Sequence, residues 1–226
     1  AAGPLALVVA TVDADAATPA IYHPYVNLHE REVELALTRR GSGDEAALLR
    51  RFSVGYAWTD DIATEFYLLS DAPGDPGARV SAYEFELRMQ LTEQGEYASD
   101  WGLLFELESA RHADRHEAAV GLLWEKELGG RWVATANAML EYEFGADEAD
   151  ELESAFRAEL RWRLRPTLEP ALELHLDDED YAAGPTLGGV MRLAPGRQLR
   201  WQAGVLFGIA RDTPSPSPLL RLEYEF

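Results

Sequence analysis

The stretch Tyr83-Glu84-Phe85-Glu86-Leu87-Arg88-Met89-Gln90-Leu91 decides the fold. Its odd-numbered residues are apolar or aromatic and its even-numbered ones charged or amide-bearing, a period of two that belongs to a β-strand and not to a helix. The apolar face has to leave water, yet the other face carries two carboxylates and a guanidinium, which a β-sandwich core would not easily bury. A strand with lipid on one side and a polar lumen on the other satisfies both faces.

The alternation recurs along the chain. Trp101, Leu103, Phe105 and Leu107 interleave with Gly102, Leu104, Glu106 and Glu108, and Phe156, Ala158, Leu160, Trp162 and Leu164 with Arg157, Glu159, Arg161, Arg163 and Arg165. Leu168, Leu172, Leu174 and Leu176 do the same with Glu169, Glu173 and His175. Divided at its turn signals, the chain predicts about twelve strands, at 30–40, 47–58, 62–70, 79–92, 98–110, 116–128, 131–144, 151–165, 168–177, 185–194, 197–210 and 217–226. An even number is what single-chain bacterial barrels use.

The connections alternate in character. Thr59-Asp60-Asp61, Gly129-Gly130, Arg165-Pro166-Thr167 and Ala194-Pro195-Gly196-Arg197 are tight, whereas Gly41 to Ala46, Asp71 to Gly77, Gly145 to Asp150, Asp177 to Gly184 and Arg211 to Pro216 are longer. Short turns in the periplasm and long loops outside is the asymmetry of an outer-membrane barrel, and it places both chain ends in the periplasm. The connection from Glu93 to Tyr97 is long for the short-turn side. Tyr56, Trp58, Trp124, Trp132, Tyr142, Phe144, Trp201 and Tyr224 fall where the apolar faces would meet lipid headgroups.

Composition narrows the function classes. A net charge of -20 argues against a nucleic-acid surface, which needs clustered Lys and Arg. The absence of cysteine excludes disulfides, Cys-based zinc sites and covalent haem attachment. Residues 1–16, with an apolar run from Leu5 to Val12 followed by Ala14-Asp15-Ala16, read as a signal-peptide remnant or a disordered tail. Residues 17–29 read as a periplasmic segment leading into a barrel of residues 30–226.

Near the C-terminus, Leu220, Leu222, Tyr224 and Phe226 alternate with Arg221, Glu223 and Glu225. This resembles the terminal-strand signal of outer-membrane β-barrel proteins, which the barrel-assembly machinery reads. From Tyr22 onward the chain also resembles the small, mostly uncharacterised or transport-like outer-membrane barrels of Gram-negative proteobacteria. Ser53-Val54-Gly55-Tyr56 followed by Thr59-Asp60, Leu91-Thr92-Glu93 and Ala203-Gly204-Val205-Leu206-Phe207-Gly208 carry that likeness. It implies an all-β, membrane-spanning, up-and-down antiparallel barrel in the cell outer membrane. The partners it implies are outer-membrane lipids, lipopolysaccharide and the assembly machinery, with a periplasmic or surface protein as a further one. It brings no substrate, cofactor or catalytic motif.

The inward faces are expected to line the lumen with Glu84, Glu86, Arg88, Glu106, Glu108, Glu141, Glu143, Arg157, Glu159, Arg161, Arg163, Glu173, Arg192, Arg200, Arg221 and Glu223, joined by Glu32, Glu34, Glu65, Glu125, Glu127 and Glu225. Barrels of about eight strands are filled by side chains and those of about sixteen leave a channel, so twelve falls between. Paired Glu and Arg closing the lumen therefore weigh about as heavily as a selective pore. Because carboxylates outnumber guanidiniums, a pore would favour small cationic or neutral polar solutes. The stripe Arg157, Arg161, Arg163, Arg165 opposes that field unless Glu141, Glu143, Glu169 and Glu173 neutralise it.

Other chemistry finds little support. His112 and His116 are weak metal candidates, because their spacing brings imidazoles together on a helix but here lies in a loop. His23 and His29 belong to the periplasmic segment, and His175 is expected in the lumen beside an acid. No Gly-x-Ser-x-Gly or other Ser-His set marks an enzyme, so a rim lipid hydrolase is the least favoured class. A narrow porin-like channel ranks first. A non-conducting structural or partner-binding barrel, including one that docks electron carriers, ranks second.

Overall fold

The computed structural model describes residues 20–40, 47–71, 79–147, 149–177, 180–210, 213 and 215–226. The region read as a signal remnant, 1–16, lies outside them. The described residues form twelve antiparallel strands: β1 (Arg31–Arg40), β2 (Ala47–Ala57), β3 (Ile62–Asp71), β4 (Ala82–Gln90), β5 (Asp100–Ala110), β6 (His116–Gly129), β7 (Trp132–Phe144), β8 (Glu151–Trp162), β9 (Glu169–Asp177), β10 (Asp180–Ala194), β11 (Arg197–Gly208) and β12 (Ser217–Glu225). Each strand pairs with its neighbours in chain order, and β1 closes on β12 through seven register pairs from Glu32↔Glu225 to Thr38↔Leu219. The result is an up-and-down barrel without a free sheet edge.

Two boundaries differ from the sequence reading. β10 starts at Asp180 rather than at 185, so residues 180–184 of the loop expected from Asp177 to Gly184 are strand paired with β9. Gly184 read as the end of a loop and Pro185 as the first residue of a strand, yet both lie within β10 and pair with β9, opposite Glu173 and Leu172. Their ladder to β11 lapses, which removes the need for the N–H that proline lacks. At the other end, β4 and β5 are joined by 91–99, the widest gap on the short-turn side. The loop asymmetry is therefore softer than the sequence suggests.

The pleat separates two chemistries. Outward-facing Phe52, Val54, Phe66, Phe85, Leu107, Leu122, Leu140, Leu172 and Phe207 form an exposed apolar surface around the barrel. A contiguous surface of this kind is not left in water, and it matches the lipid-facing band of a transmembrane barrel. Aromatic pairs knit this face across and along the strands: Phe66 stacks on Tyr83 with centroids 6.2 Å apart, and Trp132 on Trp162 at 6.1 Å. Trp132, Trp162, Tyr56, Trp58, Tyr224 and Phe226 gather toward the short-turn rim and Tyr142 and Phe144 toward the long-loop rim. That is the placement of interfacial girdles.

Inward positions hold the charges. Glu65, Glu86 and Glu106 stand directly opposite one another across β3, β4 and β5. Glu84, Glu108, Glu117, Glu143 and Glu151 form a second row across β4 to β8. Like charges directly opposite destabilise a sheet, so these rows persist only where something inside the barrel compensates them.

Candidate functional site

Compensation comes first from Arg51 of β2, whose inward guanidinium is 3% exposed by residue. Its Nη2 lies 2.5 Å from Glu84 Oε1 and 3.9 Å from Glu86 Oε2, and the guanidinium stacks 3.9 Å above the Tyr67 ring. Arg88 of β4 bridges the other row, at 3.2 Å from Glu65 and 3.1 Å from Glu86. The Tyr67 hydroxyl sits between the same two carboxylates, 2.5 Å from Glu65 and 3.1 Å from Glu86. Charge-assisted contacts of this kind outweigh the lateral repulsion of roughly 0.2–1 kcal/mol per pair.

The second compensating element is the chain itself. Residues 20–27, read from sequence as part of a periplasmic segment, run inside the barrel before β1 begins. Tyr22 is gripped at its backbone by Asn137 of β7: Tyr22 N–H donates to Asn137 Oδ1 (2.7 Å), and Asn137 Nδ2 donates to the Tyr22 carbonyl (2.9 Å). The Tyr22 hydroxyl donates to Glu106 (3.0 Å) and accepts from Arg51 (2.9 Å). One residue thereby links β7, β5 and β2 across the lumen.

The rest of the segment is held along one wall. His23 Nδ1 lies 2.6 Å from Glu125 Oε2, the Tyr25 hydroxyl donates to Asp100 (2.8 Å), and Val26 N–H donates to Gln90 (2.7 Å). Ala20 and Tyr22 pack with Leu104, Ala119, Leu123, Met139 and Ala155 in an apolar cluster. Gly102 makes room for this approach, since a Cβ there would meet Pro24 Cβ at 3.0 Å. At the short-turn rim, Asn27 Nδ2 donates to Glu30 (2.9 Å), whose carboxyl is pushed up to about 7 by burial and by neighbouring Glu225.

The segment occupies the β4–β7 side and leaves a cavity of about 370 Å³ on the other. Of the residues expected to line the lumen, Arg88, Glu159, Arg161, Arg163, Arg200, Arg221 and Glu223 border it, together with Glu32, Glu34, Glu65, Glu125 and Glu169. Glu84, Glu86 and Glu106 lie elsewhere, against Arg51, Arg88 and Tyr22, and Glu173 pairs with His175 (3.0 Å). Glu108, Glu141 and Glu143 face inward on the acidic wall nearer the long-loop end. Arg192 is exposed near the short-turn rim, beside a register irregularity between it and Ala194.

The arginine stripe on β8 is largely neutralised. Arg157 lies 3.1 Å from Asp177 and 3.6 Å from Glu141; Arg161 lies 3.5 Å from both Glu159 and Glu169. Arg163 pairs with Glu127 just past the end of β8. His116 opens β6 and contacts Asp114 (3.2 Å), while His112 lies in the preceding connection. Leu220, Leu222, Tyr224 and Phe226 sit on β12 and at its end, with Phe226 exchanging backbone hydrogen bonds with Arg31 across the closing seam. Sequence reasoning missed Arg51, Tyr22, Tyr67 and Asn137 as parts of this network.

No family model and no curated protein matches the chain. Solved structures do. An outer membrane channel from Pseudomonas putida F1 superposes with a TM-score of 0.58 at 12% identity, covering 89% of this chain and 97% of that one. The KdgM porin in complex with disordered oligogalacturonate gives 0.56 at 8% identity, covering 87% and 98%. The β domain of the Bordetella autotransporter BrkA gives 0.54 at 12% identity, covering 88% and 99%. Likeness at these identities speaks for the fold: a closed barrel shared with outer-membrane proteins, two of these three being channels.

Proposed function

We propose that this protein is an outer-membrane channel of narrow bore for small cationic or neutral polar solutes, with its short-turn end in the periplasm. The observation that carries the reading is the charged cavity of about 370 Å³ that remains between residues 20–27 and the opposite wall. A barrel built only as a stable body gains nothing from a polar space of that size, whereas a passage needs one. The inward surplus of carboxylates sets the preference against anions. The channel neighbours support the reading through the fold they share with this chain.

A second reading, a non-conducting barrel that docks a partner, is favoured by Tyr22, which crosses the lumen and is held at both ends. Liposome swelling separates the two. Vesicles carrying the folded protein should swell in small neutral and cationic solutes and more slowly in anions of equal size. Swelling no faster than in protein-free vesicles would remove the channel reading.

A further inference from the structure

We propose that the lumen cavity binds a small organic diamine, one ammonium at Glu32 of β1 and the other between Glu159 of β8 and Glu169 of β9. The inference rests on the channel reading above for how the solute arrives, and it names the cation. The cavity is at the small end of ligand pockets, which span roughly 300–1,000 Å³. Glu32 borders it on one side and Glu159 and Glu169 on another, with β10 to β12 between them around the barrel.

Charge decides the ligand class. Eight carboxylates and only six guanidiniums border the cavity. Three of those guanidiniums also serve acids outside it: Arg51 pairs with Glu84, Arg163 with Glu127 and Arg200 with Glu225. The shortfall gathers at two places. Glu32 makes no ion pair among the described residues, because Arg88, Arg200 and Arg221 go to Glu65, Glu223 and Glu34 instead. Gly55 of β2 leaves the space for it: a Cβ there would collide with Glu32 Cγ at 2.6 Å and Glu65 Cγ at 2.7 Å, so two acidic side chains from β1 and β3 lean over the same bare backbone. At the second place Arg161 is shared, 3.5 Å from both Glu159 and Glu169 and 3.8 Å from Glu125.

A carboxylate held away from bulk water needs a cation beside it. An ammonium supplies one at each place, an anion would add to the excess, and a neutral solute would leave it uncorrected. A bare metal ion fits less well, since Ca²⁺ and Mg²⁺ require about six oxygens converging on one point. Among the described residues, Glu84, Glu86 and Glu106 are the three acids whose oxygens come within 4.8 Å of one another. They lie outside the cavity lining, with Arg51 beside Glu84 and Glu86. Within the cavity the two acidic places stand apart, which suits two charges joined by a short chain.

Putrescine, 1,4-butanediol and succinate test this at pH 7, because they share a four-carbon chain and differ in charge. Each is titrated into the full chain folded in detergent micelles and followed by calorimetry and saturation-transfer NMR, with heat-shifted gel mobility as the check on folding. Putrescine should bind at least about tenfold more tightly than the other two, and equimolar Mg²⁺ should not displace it. Glu32→Gln should weaken putrescine about tenfold, whereas Glu151→Gln, which removes the same charge at the long-loop end, should leave it unchanged. Val190→Trp, which fills the cavity, should abolish binding in folded protein. Equal binding of the diol or the diacid, displacement by equimolar Mg²⁺, no putrescine binding by folded protein, or native affinity in E32Q or V190W would overturn the proposal. Putrescine binding by a protein that leaves bilayers silent would uphold the site and remove the channel reading.

Discussion

Asn137 and Tyr22, separated by 115 positions, exchange two hydrogen bonds in the middle of the barrel, and both are buried. Asn137→Ala leaves a buried backbone N–H and a buried carbonyl without partners, at roughly 1–3 kcal/mol for each group. The variant should fold, but amides 20–26 should lose about tenfold or more of their protection in hydrogen exchange. Unchanged protection would mean that the segment is held elsewhere.

Glu30 makes the hold on the segment pH-dependent. Its carboxyl is raised from 4.5 to about 7, first by burial and then by Glu225, with Arg200 and the Asn27 hydrogen bond opposing. A raised folded-state pKa gives stability that is complete below the ordinary carboxylate range and is lost as pH rises through about 7. Proteolysis within 27–31 should therefore quicken between pH 5 and 8 by roughly the fraction of Glu30 ionised, and Glu30→Gln should flatten the profile. A profile that E30Q leaves as steep would assign the dependence to another group.

Arg51 holds two carboxylates in a region without bulk water. Arg51→Met should cost about 3–5 kcal/mol, because Glu84 keeps its burial and loses its cation. Adding Glu84→Gln should recover part of that loss, a non-additivity that a double-mutant cycle in urea will read. A double-variant cost equal to the sum of the two single costs would show that the pair does not act as a unit.

Leu122 lies near mid-height of β6 on the outer face. Leu122→Arg should destabilise the protein by roughly 2–4 kcal/mol when it is folded into lipid vesicles. An exposed surface in water would tolerate the change within about 0.5 kcal/mol. The smaller value would place this face in contact with water.

The barrel was legible because its signal is local. Tyr83 to Leu91 states both faces of β4 in nine letters, and eleven other segments repeat the theme. β10 was cut short for the opposite reason: Gly184 before a proline has the chemistry of a turn, and only the pairing of 180–184 with β9 shows them to be strand. The lining residues followed from parity alone, but parity does not say which carboxylates face open space. Glu84 and Glu86 were the natural choice, yet Arg51 and Arg88 take them up, and Glu159 and Glu223 border the cavity instead. Ile21-Tyr22-His23-Pro24-Tyr25-Val26 has no period, and its partners lie 29 to 115 positions away, so nothing local announced that it lies inside.

Planar-bilayer recording under a salt gradient tests the channel reading most directly, with the native chain and Asn137→Ala compared at matched insertion. The native protein should show small unitary currents with a reversal potential on the cation side, and N137A should show larger ones of the same sign. Silent membranes for both proteins, with folding confirmed in the same preparation, or a reversal potential on the anion side, would contradict it.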